Sequence, residues 1–197
     1  MSNSKEKHQH FIIYKPYGYL SQFVNNGPKK NSKKLLGDLG NFPERTMSVG
    51  RLDEKSEGLL ILTTDGQVSY DICSSKVEKE YYAQVDGIIT DEAIEQLKNG
   101  VEIGFEGIKY MTQPCKAKLL SPAPILPERS KPVRDDRHGP TTWVSITLRE
   151  GKFRQVRKMT SAVGFPTLRL VRVRIGKILL GEMDVGEVET LLIKTQE

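Results

Sequence analysis

Cysteine is nearly absent from this chain: Cys73 and Cys115 are its only two, and they stand far apart with no CxxC spacing. A disulfide framework or a zinc site needs more ligands at closer intervals, so two reduced thiols are expected. Histidine is almost as scarce. His8, His10 and His138 form no HExxH pair, which argues against a zinc hydrolase. No apolar run approaches the roughly 18 residues that would read as a membrane span. The opening stretch MSNSKEKHQH, residues 1–10, lacks the apolar core of a signal peptide and reads as a short disordered leader. A cytoplasmic protein with no membrane association is expected.

What is present is more telling. The 197 residues can form one generous domain or two small lobes that share an interface. Hydrophobic content of 37% and charged content of 28% are ordinary for a globular chain. The net charge of +5 is modest, but it is unevenly placed. Between Arg149 and Lys177 there are nine basic residues against the single acid Glu150, a local net of +8. Phe153, Val156, Met159, Leu168, Leu170 and Val173 are interleaved with these charges, so they belong to ordered elements and not to a tail. A concentration of this kind suits a polyphosphate partner, because each phosphate contact releases counterions.

Short apolar runs read as strands at Phe11–Tyr14, Leu59–Thr63, Glu80–Val85, Val101–Ile103, Lys116–Leu120, Trp143–Leu148, Leu168–Ile175 and Glu189–Ile193, with a brief extended piece at Val49–Asp53. Asp65-Gly66 reads as a turn after the second of these runs. Thr90–Asn99 has a helical N-cap, apolar spacing at Ala93, Ile94 and Leu97, and Gly100 as a stop. Gln155–Val163 is a second helix, ended by Gly164. Residues 24–34 look like an exposed basic loop. Residues 121–140 hold half of the ten prolines and form a long loop, a length that tends to carry function. Many strands with interspersed helices make a mixed α+β fold.

The richest stretch is Gly50–Gly66, GRLDEKSEGLLILTTDG. It sets Asp53 beside Arg51 on a loop that enters a buried strand. An acid next to an arginine keeps its charge and can act as nucleophile or base. Taken alone, the same residues equally describe a surface turn before a core strand.

The pattern GRLDxxSxGLLxLTxDG resembles the signature of the RsuA-type family of ribosomal pseudouridine synthases. Four further segments are similar to that family's motifs and occur in its order: Tyr14–Gly18 (YKPYG), Lys79–Gly87 (KEYYAQVDG), Glu150–Met159 (EGKFRQVRKM) and Leu170–Gly176 (LVRVRIG). Together they span roughly residues 11 to 181. The resemblance implies a pseudouridine synthase catalytic fold, a mixed but mostly antiparallel central sheet with flanking helices and loops. Residues 11–190 would then form a single catalytic domain of two lobes sharing one sheet.

It also implies roles. Asp53 matches the catalytic aspartate, Tyr81 the tyrosine lying against the extruded uracil, and Arg157 the basic residue that pairs with the aspartate. Arg51 matches an arginine that helps displace the target base, and Leu170 a leucine that packs beneath it. Arg154, Lys158 and Arg172 are read as RNA contacts. Each also has an ordinary structural reading; Tyr82, for one, must face the opposite side of its strand from Tyr81. No metal or organic cofactor is implied. Extruding a stacked base costs a few kcal/mol, which the pocket must offset. Whether the carboxylate attacks the sugar or removes a proton from it is left open.

Relatives of this type often begin with a small S4 RNA-binding domain, which is not expected here because only about ten residues precede the first motif. The proline-rich stretch Leu126–Trp143 is similar to the branch of the family that lacks S4 and acts on the large subunit, so 23S ribosomal RNA and a monomeric enzyme are expected. Two other readings compete: a catalytically silent RNA-binding or ribosome-assembly factor with the same fold, and an unrelated basic protein that binds anions in general. The first would be expected to lose the aspartate, tyrosine or basic partner. The second would not carry a loop carboxylate flanked by these motifs.

Overall fold

The computed structural model describes residues 7–25, 32–74 and 77–193. In chain order its strands are β1 (His10–Lys15), β2 (Met47–Val49), β3 (Glu57–Thr63), β4 (Lys79–Asp86), β5 (Glu102–Phe105), β6 (Ile108–Met111), β7 (Lys116–Leu120), β8 (Thr141–Leu148), β9 (Thr167–Ile175), β10 (Ile178–Leu179) and β11 (Val188–Thr190). The helices are α1 (Gly66–Cys73), α2 (Asp91–Asn99) and α3 (Gln155–Ala162).

All seven residues of β3 are buried, because this strand is covered on both faces. Successive side chains of a strand point to opposite sides. Leu59 and Ile61 accordingly join Ile12, Tyr14 and Val171 in one core, while Leu60 and Leu62 join Ile13 and Leu36 in another. A third core lies under α2 and α3, where Ala93, Ile94, Leu97, Val156 and Met159 cover Ala83, Val85, Val144, Ile146 and Leu170. The three cores surround one mixed sheet of order β11-β1-β3-β9-β4-β8-β7, with β2 on β3 and β10 on β9. Every pairing in it is antiparallel except β3 with β9.

That parallel contact is short, matching Glu57 with Val171 and Gly58 with Arg172. It joins the half of the sheet built on β1 and β3 to the half built on β4, β8 and β9. Gly58 has φ +98°, and a Cβ there would lie 2.8 Å from Val171 Cγ1 and 2.9 Å from the Arg172 nitrogen. The seam therefore demands glycine. Beside it Arg169 forms a buried two-pronged ion pair with Glu57, at 3.0 and 3.1 Å.

Several expectations are corrected. His10, assigned to the leader, opens β1, is buried, and shares a 2.8 Å hydrogen bond with Thr63. Asp65-Gly66 is not a simple turn: the Asp65 carboxylate accepts from the Gln67 amide and caps α1. The extended piece at 49–53 ends at Val49, and the last strand stops at Thr190. A hairpin of β5 and β6 stands where one strand was expected. Residues 1–6 of the leader and residues 26–31 of the basic loop lie outside the described residues. Residues 121–140 do form a long connection with one short helical turn, Asp136–His138. Cys73 and Cys115 are unbridged. Among the described residues no helix is long and apolar enough to cross a membrane.

Candidate active site

Asp53 sits four residues before β3, at the head of a tight turn in which the Ser56 amide donates to its carbonyl at 3.0 Å. The turn also folds back on the carboxylate. Oδ1 accepts from the Lys55 amide and the Ser56 hydroxyl, both at 2.9 Å. Beneath it lies Lys15, fully buried at the end of β1, whose Nζ donates to the Ser56 carbonyl at 2.7 Å and the Pro16 carbonyl at 2.9 Å. Burial lowers the Lys15 pKa to about 8; the nearby Asp53, Glu57 and Glu54 carboxylates oppose that shift, and Arg172 adds to it.

Oδ2 of Asp53 faces α3. It accepts from Arg157 Nε at 3.2 Å and from Arg154 Nη1 at 3.1 Å. Arg157 further donates to the Lys55 and Thr167 carbonyls and to the Ser56 hydroxyl, so one guanidinium laces the Asp53 turn to the start of β9. Burial lowers the Arg157 pKa, against the pull of Asp53. Arg154 caps α3 in the left-handed conformation, φ 53° and ψ 34°. For a non-glycine residue that conformation costs roughly 1–2 kcal/mol, and strain of this sort collects at working sites.

The Asp53 carboxylate opens into a cleft of about 640 Å³ between the two halves of the sheet. Arg51, Tyr81, Phe153, Arg154 and Leu170 are among its walls. Tyr81 lies on β4 two residues before core Ala83, so it shares the face that looks toward α3, and Leu170 pairs with Ala83 across β9. Leu170 is thus both a core residue, 5% exposed, and a wall of the cleft.

Asp53, Tyr81, Leu170, Arg51 and Arg154 are therefore brought together around one cleft, and Arg157 joins them through its bond to the Asp53 carboxylate. Two other candidates are not. Arg172 is 4% exposed and donates to the Leu59 carbonyl at 2.8 Å, which makes it a cation of the sheet interior and not an RNA contact. Lys158 turns to the β5–β6 hairpin and donates to the Gly104 carbonyl at 2.8 Å, lining with Arg154 and Arg157 an adjoining groove beside α3 and not the cleft itself. The basic run read as a footprint for phosphate is thus largely spent on the fold: Arg169 pairs with Glu57, and Arg174 with Glu80 and Glu78.

Sequence reasoning also assigned no role to Lys15, Ser56 or Phe153. The Asp-x-x-Ser spacing was a legible sign of the turn on Asp53, since short polar side chains at that interval bond back to the backbone. Burial of Lys15 had no such local sign.

With this geometry in view, comparison with known proteins is decisive. Residues 9–162 match the model of the family described as RNA pseudouridylate synthase. The chain belongs to that family. It is 44% identical to the ribosomal large subunit pseudouridine synthase E of Vibrio parahaemolyticus, over 89% of this chain and 71% of the relative. With the synthase of the same name from Xanthomonas axonopodis the identity is 42%, covering 84% of each chain. Among solved structures, a pseudouridylate synthase superposes with a TM-score of 0.73 at 28% identity, covering 96% of this chain and 72% of that one. The α+β synthase fold and the enzyme class expected from the motifs are thereby established, and the cleft at Asp53 is where this family member has a carboxylate, cations and an aromatic wall in one place.

Proposed function

We propose that the protein isomerises a specific uridine of 23S ribosomal RNA to pseudouridine, acting as a cytoplasmic monomer, with Asp53 as its catalytic carboxylate. One observation carries the assignment of Asp53. A 15% exposed carboxylate is fixed by four donors at the mouth of a cleft that is walled by Tyr81 and Leu170.

The target base is extruded from its stack into the cleft, where Tyr81 and Leu170 flank it and Arg51 holds the vacated strand. The reaction needs no external reductant, oxidant or group donor. The bond from N1 to C1′ breaks, a bond from C5 to C1′ forms, and the C5 proton is exchanged for one on N1. Asp53 assists at the sugar, either as nucleophile or as base.

An ionised carboxylate offers about four lone-pair sites, and the Lys55 amide, Ser56, Arg154 and Arg157 occupy that number. One donor must therefore yield when the sugar arrives. Arg154, 36% exposed against 11% for Arg157, is the one placed to move toward an RNA phosphate. Arg157 stays and keeps the carboxylate aimed.

The test is to incubate the protein with unmodified 23S transcript and map pseudouridine by carbodiimide-dependent reverse-transcription stops. A new stop is expected with the wild type. Asp53→Asn should lower its rate by at least about 100-fold, with RNA affinity kept within a few-fold. An active Asp53→Asn protein would overturn the assignment. RNA binding without any stop in the wild type would instead favour a silent binding module.

A further inference from the structure

Large apolar side chains exposed at the surface are ordinary when scattered singly, but an exposed ring at the cleft that holds the Asp53 carboxylate calls for an explanation. Phe153 is 67% exposed and lines the cleft that holds Asp53. Its neighbours Lys152 and Arg154 line the same cleft, and Lys158 Nζ lies 5.5 Å from the centre of its ring.

The turn that carries Phe153 outward is held at both ends. The Gln155 amide donates to the Lys152 carbonyl at 3.1 Å, and the Gln155 side chain returns to the Lys152 amide at 2.9 Å. Gln155 in turn donates to Glu150, which is 9% exposed and anchored by the Gln113 amide and the Tyr110 hydroxyl. The left-handed backbone of Arg154 completes the turn, sending Arg154 to Asp53 while Phe153 remains in solvent. A hydrophobic ring is thus presented rigidly to water, among cations, at the entrance to a cleft that receives an extruded base.

We propose that Phe153 is a second base-binding position, a stacking platform for the nucleobase adjacent to the target uridine. Unpaired RNA bases are recognised by stacking on aromatic faces, and nearby cations hold the flanking phosphates. Extruding the target exposes one face of its neighbour, and Phe153 covers that face while Tyr81 and Leu170 take the target itself. This inference rests on the proposed function and adds a residue that reads the strand beside the reacting nucleotide.

The test compares Phe153→Leu, which keeps apolar bulk without a ring, with Phe153→Trp, which keeps and enlarges the π-face. Tritium release from 23S transcript carrying 5-tritiated uridine is followed with enzyme in excess. Phe153→Leu should raise the half-saturating enzyme concentration about tenfold, and Phe153→Trp should leave it within about twofold. Indole emission of Phe153→Trp should also be quenched by the transcript beyond the quench of wild type, which contains Trp143. Equal loss in both variants, or a Phe153→Leu protein that matches wild type, would overturn the proposal, as would an unquenched Trp at 153. The fluorescence arm needs no turnover. A wild type that releases no tritium would count against the catalytic reading alone, and the quench would still decide the stacking.

Discussion

The two halves of the sheet are built on different principles. In the half of β1 and β3 the sheet is covered on both faces, and β3 contains no exposed residue. In the half of β4, β8 and β9 one face is apolar beneath α2 and α3, while the other carries a polar lattice of Glu78, Glu80, Lys116, Ser145 and Arg174. Asp53 hangs from the doubly covered half; Tyr81, Leu170 and the arginines of α3 belong to the other. The carboxylate proposed to act on the sugar is mounted on the half whose sheet is buried on both faces. The side chains proposed to meet the RNA come from the other half, and the cleft that they line opens between the two.

Gly58→Ala should break this arrangement most severely. The added methyl would collide with the backbone of β9 and force a left-handed alanine, so a loss of about 3 kcal/mol or more is expected. Denaturant unfolding measures it, and a loss under about 1 kcal/mol would mean that the seam is pliable.

A smaller effect distinguishes the buried half by pH. The Lys15 pKa is about 8 when folded, against an ordinary 10.5. Between those values the unfolded chain binds more protons, so stability rises with pH through this window and the contribution is lost as pH falls through 8. Relative to Lys15→Met, the wild type should gain on the order of 2 kcal/mol from pH 8 to 10. A flat difference would show that Lys15 keeps its ordinary titration.

The smallest change belongs to the open face. Lys116, 75% exposed, pairs with Glu78 at 2.9 Å. Lys116→Ala should alter stability by less than about 1 kcal/mol, and less still in high salt. A larger loss would mean that the polar lattice is as cohesive as a core.

Much of the secondary structure was legible in the sequence because it rests on local signals. β7 occupies Lys116–Leu120 as its pattern predicts, and α2 begins at the Thr90 cap, whose hydroxyl accepts from Ala93. The failures are also local in origin. α1 is eight residues long with none fully buried, so no apolar stripe marks it, and its Asp65 cap uses the same residues as a turn. β6 shows no buried–exposed alternation and escaped notice.

For the site, the motif order set Asp53, Tyr81 and Arg157 in prospect; Asp53 and Tyr81 line one cleft, and Arg157 bonds to the Asp53 carboxylate from beside it. Linear charge density misled. Arg169 and Arg172 lie within a strongly basic run, yet both are buried, one neutralised by Glu57 more than a hundred residues away and the other turned onto the Leu59 carbonyl.

Sequence alone determined most of the elements, their order and the family, and it singled out Asp53 as a candidate, since caps, periodicity and motif residues act over a few positions. Only the tertiary structure decided which cations face the carboxylate, which are consumed by the sheet, and that Lys15 supports the turn from below. Those outcomes depend on β3 lying parallel to β9 through Gly58, a contact between distant segments whose geometry no local pattern encodes.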